Sequence, residues 1–229
     1  DDVRVVVLTG AGRGFCAGAD LGLLSAIPGA GALPDEAEAV IRRPAAYPPT
    51  RPDFHTRYAY FPTVPKPVIA ALNGATAGLG LVIALYCDIR MAADTAVFTT
   101  AFSRRGLVAE HGISWILPRL IGLQSALDLV LSARRIDAAE ALRLGLVSRV
   151  VPHAQLVGAV RAYARELADL VSPRSMRIMK RQLWEAQFQT LAEATAVADE
   201  EMRKSFLSAD FKEGVAHFVE KRPPRFTGR

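Results

Sequence analysis

Cysteine is scarce in this chain: only Cys16 and Cys87 occur, each inside an apolar segment and without Cys-x-x-Cys spacing. That excludes a disulfide framework and a cysteine-based zinc site. The four histidines, His55, His111, His153 and His217, stand apart from one another and from the cysteines, so no metal is expected. A basic start followed by an apolar run is also missing, as is any stretch of about 20 uncharged apolar residues. The expectation is a soluble, cytoplasmic protein with no membrane partner. Lys and Arg (28) outnumber Asp and Glu (23), giving a net charge of +5, but the cations are scattered and aromatics make up only 7%. No basic run is interleaved with aromatic residues, which argues against nucleic acid and leaves a small anionic ligand as the better partner. No GK[ST] follows any glycine, so a P-loop is excluded. Counting from Gly10, the sixth position of G-x-G-x-x-G is Phe15, and no acidic residue closes a second strand downstream, which excludes a Rossmann site.

What is present fits one α/β domain with a helical appendage, since 229 residues with 51% hydrophobic content support one sizeable core. Short apolar runs at Val3–Thr9 and Pro67–Leu72 predict buried strands, with weaker ones at Ile89–Ala93 and Val147–Val151. Ala77–Tyr86 is apolar all round, as a buried helix is; Gln124–Ser132 and Ala138–Leu144 read as short amphipathic helices. Residues 1–152 are therefore expected to form an α/β core and residues 153–229 a helical region, with a break at Ser172–Pro173. Nine of the fourteen prolines lie between Pro28 and Pro67, so 25–66 is expected to be a mobile loop holding one short helix near Glu36–Arg42. Its role is either a surface excursion or a substrate-gating loop.

Two strand-to-loop units stand out. VVVLTG leads into FCAGADL (Phe15–Leu21), and PVIAAL leads into NGATAGLG (Asn73–Gly80), which runs straight into the buried helix. Loops of such small residues let a ligand approach the main chain closely, and the second would present free N–H groups at the positive end of a helix. Each alone is an ordinary tight turn. Together they could converge on one carbonyl oxygen and hold the charge that develops when it becomes an enolate or a tetrahedral oxyanion.

FCAGADL, KPVIAALNGATAGLGLVIALYCDIRMA and ARRIDAAEALRLGLVSRVV resemble, in order and spacing, the crotonase or enoyl-CoA hydratase/isomerase superfamily, over essentially the whole chain. The resemblance implies a crotonase-like ββα spiral with a helical C-terminal trimerisation region. It implies an acyl-CoA thioester substrate, no cofactor beyond the coenzyme A the substrate carries, and a homotrimer or hexamer. The two oxyanion donors would be the N–H groups of Ala19 and Leu79. Ala17, Asp20, Leu21 and Gly78 would lie along the bound CoA thioester. HFVEKR resembles the segment with which a neighbouring subunit covers the nucleotide, implicating Phe218 and Lys221; on sequence alone Phe218 reads as core and Lys221 as a solvated charge. Members of the family begin with a ββα unit ahead of the strand matching Val3–Thr9, and this sequence lacks one, which predicts an exposed sheet edge.

The two glutamates of a hydratase of this family should align with Val82 and Phe102, neither of which can move a proton. Instead, FTTAFSRRGLVAEHG resembles the segment of peroxisomal-type enoyl-CoA isomerases whose glutamate shuttles a proton between C2 and C4, which points to Glu110. With Val108 and Ala109 on one side of it, an apolar environment that raises its carboxyl pKa is expected. His111 reads as a loop residue, with a catalytic or substrate-contacting role as the alternative. Asp20 is expected to cap a helix, Asp88 to satisfy backbone donors, and Cys16 to be a small core residue. The alternatives to isomerisation are a hydratase with a non-standard acid/base and a non-catalytic acyl-CoA-binding or assembly protein.

Overall fold

A computed structural model describes residues 2–19, 22, 51–56 and 58–229. Its strands alternate between two sheets. β1 (Val6–Thr9), β3 (Val68–Leu72), β5 (Ile89–Ala93) and β8 (Arg149–Val151) form the first, all parallel, in the order β1-β3-β5-β8. β2 (Gly14–Cys16), β4 (Ala75–Ala77), β6 (Val97–Thr99) and β7 (Ile136–Asp137) form the second, in the order β2-β4-β6-β7, with only the β6–β7 pair antiparallel. A strand of the first sheet thus passes within a few residues into a strand of the second. A helix then returns the chain to start the next turn, and this repetition makes a ββα spiral.

The reasons are local. β3, VIAAL, is buried along its whole length, because a central parallel strand is covered on both faces. Helix α1 (Leu79–Tyr86) is apolar all round because it runs through the interior, with Leu81, Val82, Ala84 and Leu85 at most 2% exposed. α2 (Ile113–Ile121), α3 (Leu123–Ser132) and α4 (Ala138–Arg143) close the main core, α4 being capped by the Asp137 carboxylate, which accepts from the Glu140 N–H. β1 is the outer strand of its sheet among the described residues, and Val6 and Val7 are exposed.

The helical part continues the packing of the sheet. Leu156 and Val160 of α5 (Leu156–Leu170) bury the second face of β3 and β5 against Ile69, Ala71, Met91 and Ala93. α6 (Pro173–Glu185) starts where sequence placed the break, with Ser172 as N-cap and Pro173 in the first turn. α7 (Leu191–Phe206) opens with a Thr190–Glu193 capping box, and α8 (Ala209–Glu220) follows. Asp210, at the start of α8, fastens the tail. Its carboxylate accepts from the Ser172 hydroxyl at 2.6 Å and from the Thr227 and Gly228 N–H groups, both at 2.9 Å.

The proline-rich stretch departs from expectation where it is described. Two 3-10 turns, Pro52–His55 and Phe61–Thr63, occupy its end, and Phe54, Ala59 and Pro62 are buried, so 58–66 is packed chain and not a loose excursion. Apolar contact overrides proline content here. The helix expected near Glu36–Arg42 lies outside the described residues, as do Asp20 and Leu21.

Candidate active site

The first glycine-rich loop is braced by one side chain. Asn73, 8% exposed at the end of β3, accepts from the Gly10 N–H at 3.1 Å, while its amide nitrogen donates to the carbonyls of Gly12 (3.0 Å) and Gly14 (3.3 Å). Asn73 therefore ties both loops into one body. Sequence reading passed over it; the signal was an asparagine directly after a buried strand and before a glycine, where a side chain can substitute for missing ladder partners.

The two loops meet at the start of α1. Gly18 has φ +103°, and a Cβ placed on it would lie 3.2 Å from the Ala77 carbonyl oxygen and 3.8 Å from the Leu79 nitrogen. Gly78, the N-cap, has φ +51° and ψ −121°, a conformation open to glycine almost alone. Gly80 has no positive φ, but a Cβ there would sit 2.2 Å from the Cys16 carbonyl oxygen and 2.7 Å from Cys16 Cβ, so β2 rests directly on the helix backbone. Leu79 is the first helical residue, and its N–H has no acceptor within the helix. Ala17 and Ala19 are exposed, leaving the main chain beside them accessible.

Val82 and Phe102 are 0% and 5% exposed and belong to the main core, and a Cβ on Gly78 would be 4.0 Å from the Phe102 ring. The two positions that the resemblance would give to glutamates are thus apolar core. Cys87 is fully buried, its thiol pushed up to about 12 by burial, with the adjoining Arg90 opposing the shift, so it is inert as a nucleophile.

Glu110 lies in the turn before α2. The Tyr86 hydroxyl, at the end of α1, donates to the Gly112 carbonyl at 3.2 Å, and a Cβ on Gly112 would fall 2.4 Å from that hydroxyl. A helical tyrosine leans back toward the N-terminus of its helix. Tyr86 therefore holds the Glu110 turn on the helix that begins with Leu79. The apolar enclosure expected for Glu110 is not there: Val108 is 75% exposed and points away, and the Glu110 side chain is 32% exposed, with Oε2 3.2 Å from His111 Nε2. Only Ala109 packs inward.

Beneath this turn an aromatic cluster joins the helical region to the core. Trp184 stacks on Tyr86 at 6.5 Å, Phe188 stacks on Trp115 of α2 at 5.2 Å, and Phe54 meets Trp184 and Phe188 edge-on. Asp88, just past α1, accepts from the Val68 N–H as expected of it (2.7 Å), and also from Trp184 Nε1 (3.0 Å) and from Lys180 Nζ (2.7 Å). Lys180 donates further to the Phe61 and Lys66 carbonyls at 3.0 and 3.1 Å. Phe218 is 79% exposed on α8 and Lys221 is its C-cap at φ +53°; no described contact joins either to the two loops. Among the described residues no three His, Cys, Asp or Glu side chains group as metal ligands, and no helix is long and apolar enough to cross a membrane.

Comparison with known proteins places this arrangement. The family described as "Enoyl-CoA hydratase/isomerase" matches residues 1–229. The chain is 37% identical to 1,2-epoxyphenylacetyl-CoA isomerase of Escherichia coli (strain K12), over 100% of this chain and 83% of that protein. It is equally identical to a "Probable enoyl-CoA hydratase" of Rhodobacter capsulatus, over 100% of this chain and 82% of that one. Among solved structures, the enoyl-CoA hydratase of Bacillus anthracis superposes with a TM-score of 0.84 at 32% identity, covering 99% of this chain and 82% of that one. Spiral, loops and matches agree: the chain belongs to the enoyl-CoA hydratase/isomerase family.

Proposed function

We propose that the chain moves the double bond of an enoyl-CoA, with Glu110 as proton shuttle and the Ala19 and Leu79 amides as donors to the thioester oxygen. One observation carries the reading: two glycine-turned loops abut at the start of α1, and Glu110, the carboxylate that the resemblance offers for proton transfer, sits in a turn tethered to that same helix by Tyr86.

In this reading the Glu110 carboxylate takes a proton from C2 of a 3-enoyl thioester, whose carbonyl becomes an enolate oxygen. The two amides, one at the positive end of α1, stabilise that charge without rearranging, because β2, β4 and the glycine contacts fix them beforehand. The protonated Glu110 then returns its proton at C4, leaving the double bond between C2 and C3. No second acid is needed, which accords with the apolar Val82 and Phe102. The coenzyme A portion, passing Ala17, Asp20, Leu21 and Gly78, arrives with the substrate, and no separate cofactor enters the scheme.

We also propose a homotrimer or hexamer in which Phe218 and Lys221 of one subunit reach the CoA bound to the next. The supporting observation is the row of large apolar side chains that the end of α7 and α8 leave in solvent, including Leu207 just past α7 (82%), Phe218 and Val219 (72%).

The test is a spectrophotometric assay with a 3-enoyl-CoA and, separately, a 2-enoyl-CoA, each repeated with Glu110→Gln. The expected result is growth of conjugated-thioester absorbance from the 3-enoyl substrate, lost in the variant. Decay of that absorbance from the 2-enoyl substrate would mean hydration instead. Binding of acyl-CoA with no turnover of either would leave a non-catalytic binder.

A further inference from the structure

Glu110 and His111 are neighbours in sequence, and side chains at i and i+1 ordinarily diverge. They meet here, with Nε2 3.2 Å from Oε2, where the His111 backbone turns left-handed at φ +53°, a conformation that few residues with a Cβ adopt and that histidine tolerates better than most. The next residue, Gly112, is also left-handed (φ +74°), and the Tyr86 hydroxyl occupies the space a side chain there would need. The imidazole ring is fixed by a further contact, the edge-on Tyr58 ring at a centroid distance of 4.8 Å. A left-handed residue, a glycine wedged under a buried hydroxyl and an aromatic ring thus combine to hold one imidazole against one carboxylate. Strained backbone maintained in this way is characteristic of sites where geometry is used.

The chemistry follows from what each group can do. The 3.2 Å approach is that of an ion pair, and because an ionised carboxylate only accepts, any proton shared by Nε2 and Oε2 has to come from the imidazole. That engages one carboxylate oxygen and leaves Oε1 for the substrate.

We propose that His111 is the positioning residue for Glu110: by donating from Nε2 to Oε2 it fixes the carboxylate so that Oε1 alone carries the proton between the two carbons. This rests on the reading of Glu110 as the shuttle. The step balances within the pair, since the proton taken from C2 resides on Oε1 and leaves from Oε1 to C4, while His111 keeps its own proton throughout. An exposed ion pair of no consequence is the alternative, and pairs as open as this one (31% and 32%) are commonly worth little for stability. What separates the two is turnover.

Two substitutions divide backbone from donor. Asn accepts the left-handed conformation but its amide reaches only as far as Nδ1, so His111→Asn keeps the turn and loses the donor; His111→Gln carries an amide at the position of Nε2. In the full chain, His111→Asn should lower kcat on a 3-enoyl-CoA about 10- to 100-fold, the range set by misplacing a reacting group by up to an ångström. KM should stay within about threefold, His111→Gln should restore most of the loss, and His111→Asn added to Glu110→Gln should cost nothing more. Parental kcat in His111→Asn, or equal losses in the Asn and Gln variants, would overturn the assignment.

A second measurement does not depend on turnover. Histidine nitrogen–proton spectra of the unliganded protein should contain a low-field Nε2–H proton for His111, identified by its loss in His111→Asn, and Glu110→Ala should abolish it. If the parent turns over neither enoyl-CoA but this proton behaves as described, the shuttle reading fails while the pairing stands. If Glu110→Ala leaves the His111 signals unchanged, the pairing itself is wrong.

Discussion

A single methyl group at Gly80 tests the backbone donors. In Gly80→Ala the new carbon would start 2.2 Å from the Cys16 carbonyl oxygen and 2.8 Å from its carbon, whereas such contacts settle beyond 3 Å. β2 must therefore withdraw by about an ångström, and it carries the Cys16–Ala19 loop with it. Overpacking of this kind costs about 1–3 kcal/mol, partly offset by the roughly 1 kcal/mol by which alanine exceeds glycine in a helix, so the protein should stay folded. The functional loss is larger. An amide moved about 1 Å from its oxyanion leaves hydrogen-bonding range, and losing one such donor costs about 10²–10³ in rate. Gly78→Ala approaches the same site differently: there is room, with nothing nearer than 3.7 Å, but φ +51° with ψ −121° strains any side chain by about 1–3 kcal/mol, displacing the Leu79 amide. Initial rates on a 3-enoyl-CoA, with circular dichroism melts of each variant, form the assay. Asp53→Ala is the control, because Asp53 is exposed and among the described residues pairs with Arg51, away from the two loops. If both glycine variants melt near the parent and turn over within threefold of it, the two amides are not the oxyanion donors.

Further expectations concern stability. Burial alone would raise the Asp210 carboxyl; the Ser172 hydroxyl and the Gly228 and Thr227 amides outweigh it and hold the group below its ordinary 3.8. Its contribution is therefore complete above that pH and lost as pH falls through the folded value, so Asp210→Asn should flatten the acid limb of a pH–stability curve below pH about 4. An unchanged limb would mean that the latch contributes nothing. Lys180→Met leaves the Asp88 carboxylate, 15% exposed, without its cation; the expected loss is about 3 kcal/mol, or a melting temperature lower by about 6–12 °C in calorimetry. A shift under about 2 °C would show that the Trp184 and Val68 donors suffice.

The central strands of the first sheet were legible because they are buried on both faces and read as apolar runs: Val68–Leu72 and Ile89–Ala93 were each located to within a residue. The second sheet was not, since β2, β4, β6 and β7 are two or three residues long, and no periodicity can declare itself over that length. α1 was legible as an apolar helix, but not that its entry is forced by three different glycine constraints at residues 18, 78 and 80, which depend on partners as distant as Cys16. Glu110 is a candidate from motif alone; the apolar surroundings expected for it are absent, because Val108 and Ala109 look equally apolar in sequence and only one of them turns inward. Long-range polar ties such as Asn73 to the first loop and Lys180 to Asp88 leave no local pattern.

Lys180 lies 119 residues beyond Phe61, whose carbonyl it fastens, and the same ammonium closes on Lys66 and Asp88. During synthesis, then, the segment that leads into β3 stays unlocked until α6 has emerged, after the last strands of both sheets. Contacts of such sequence separation form late and slowly. The spiral can assemble first, but the aromatic packing that joins α6 to Tyr86, and so to the Glu110 turn, arrives only with the helices that follow.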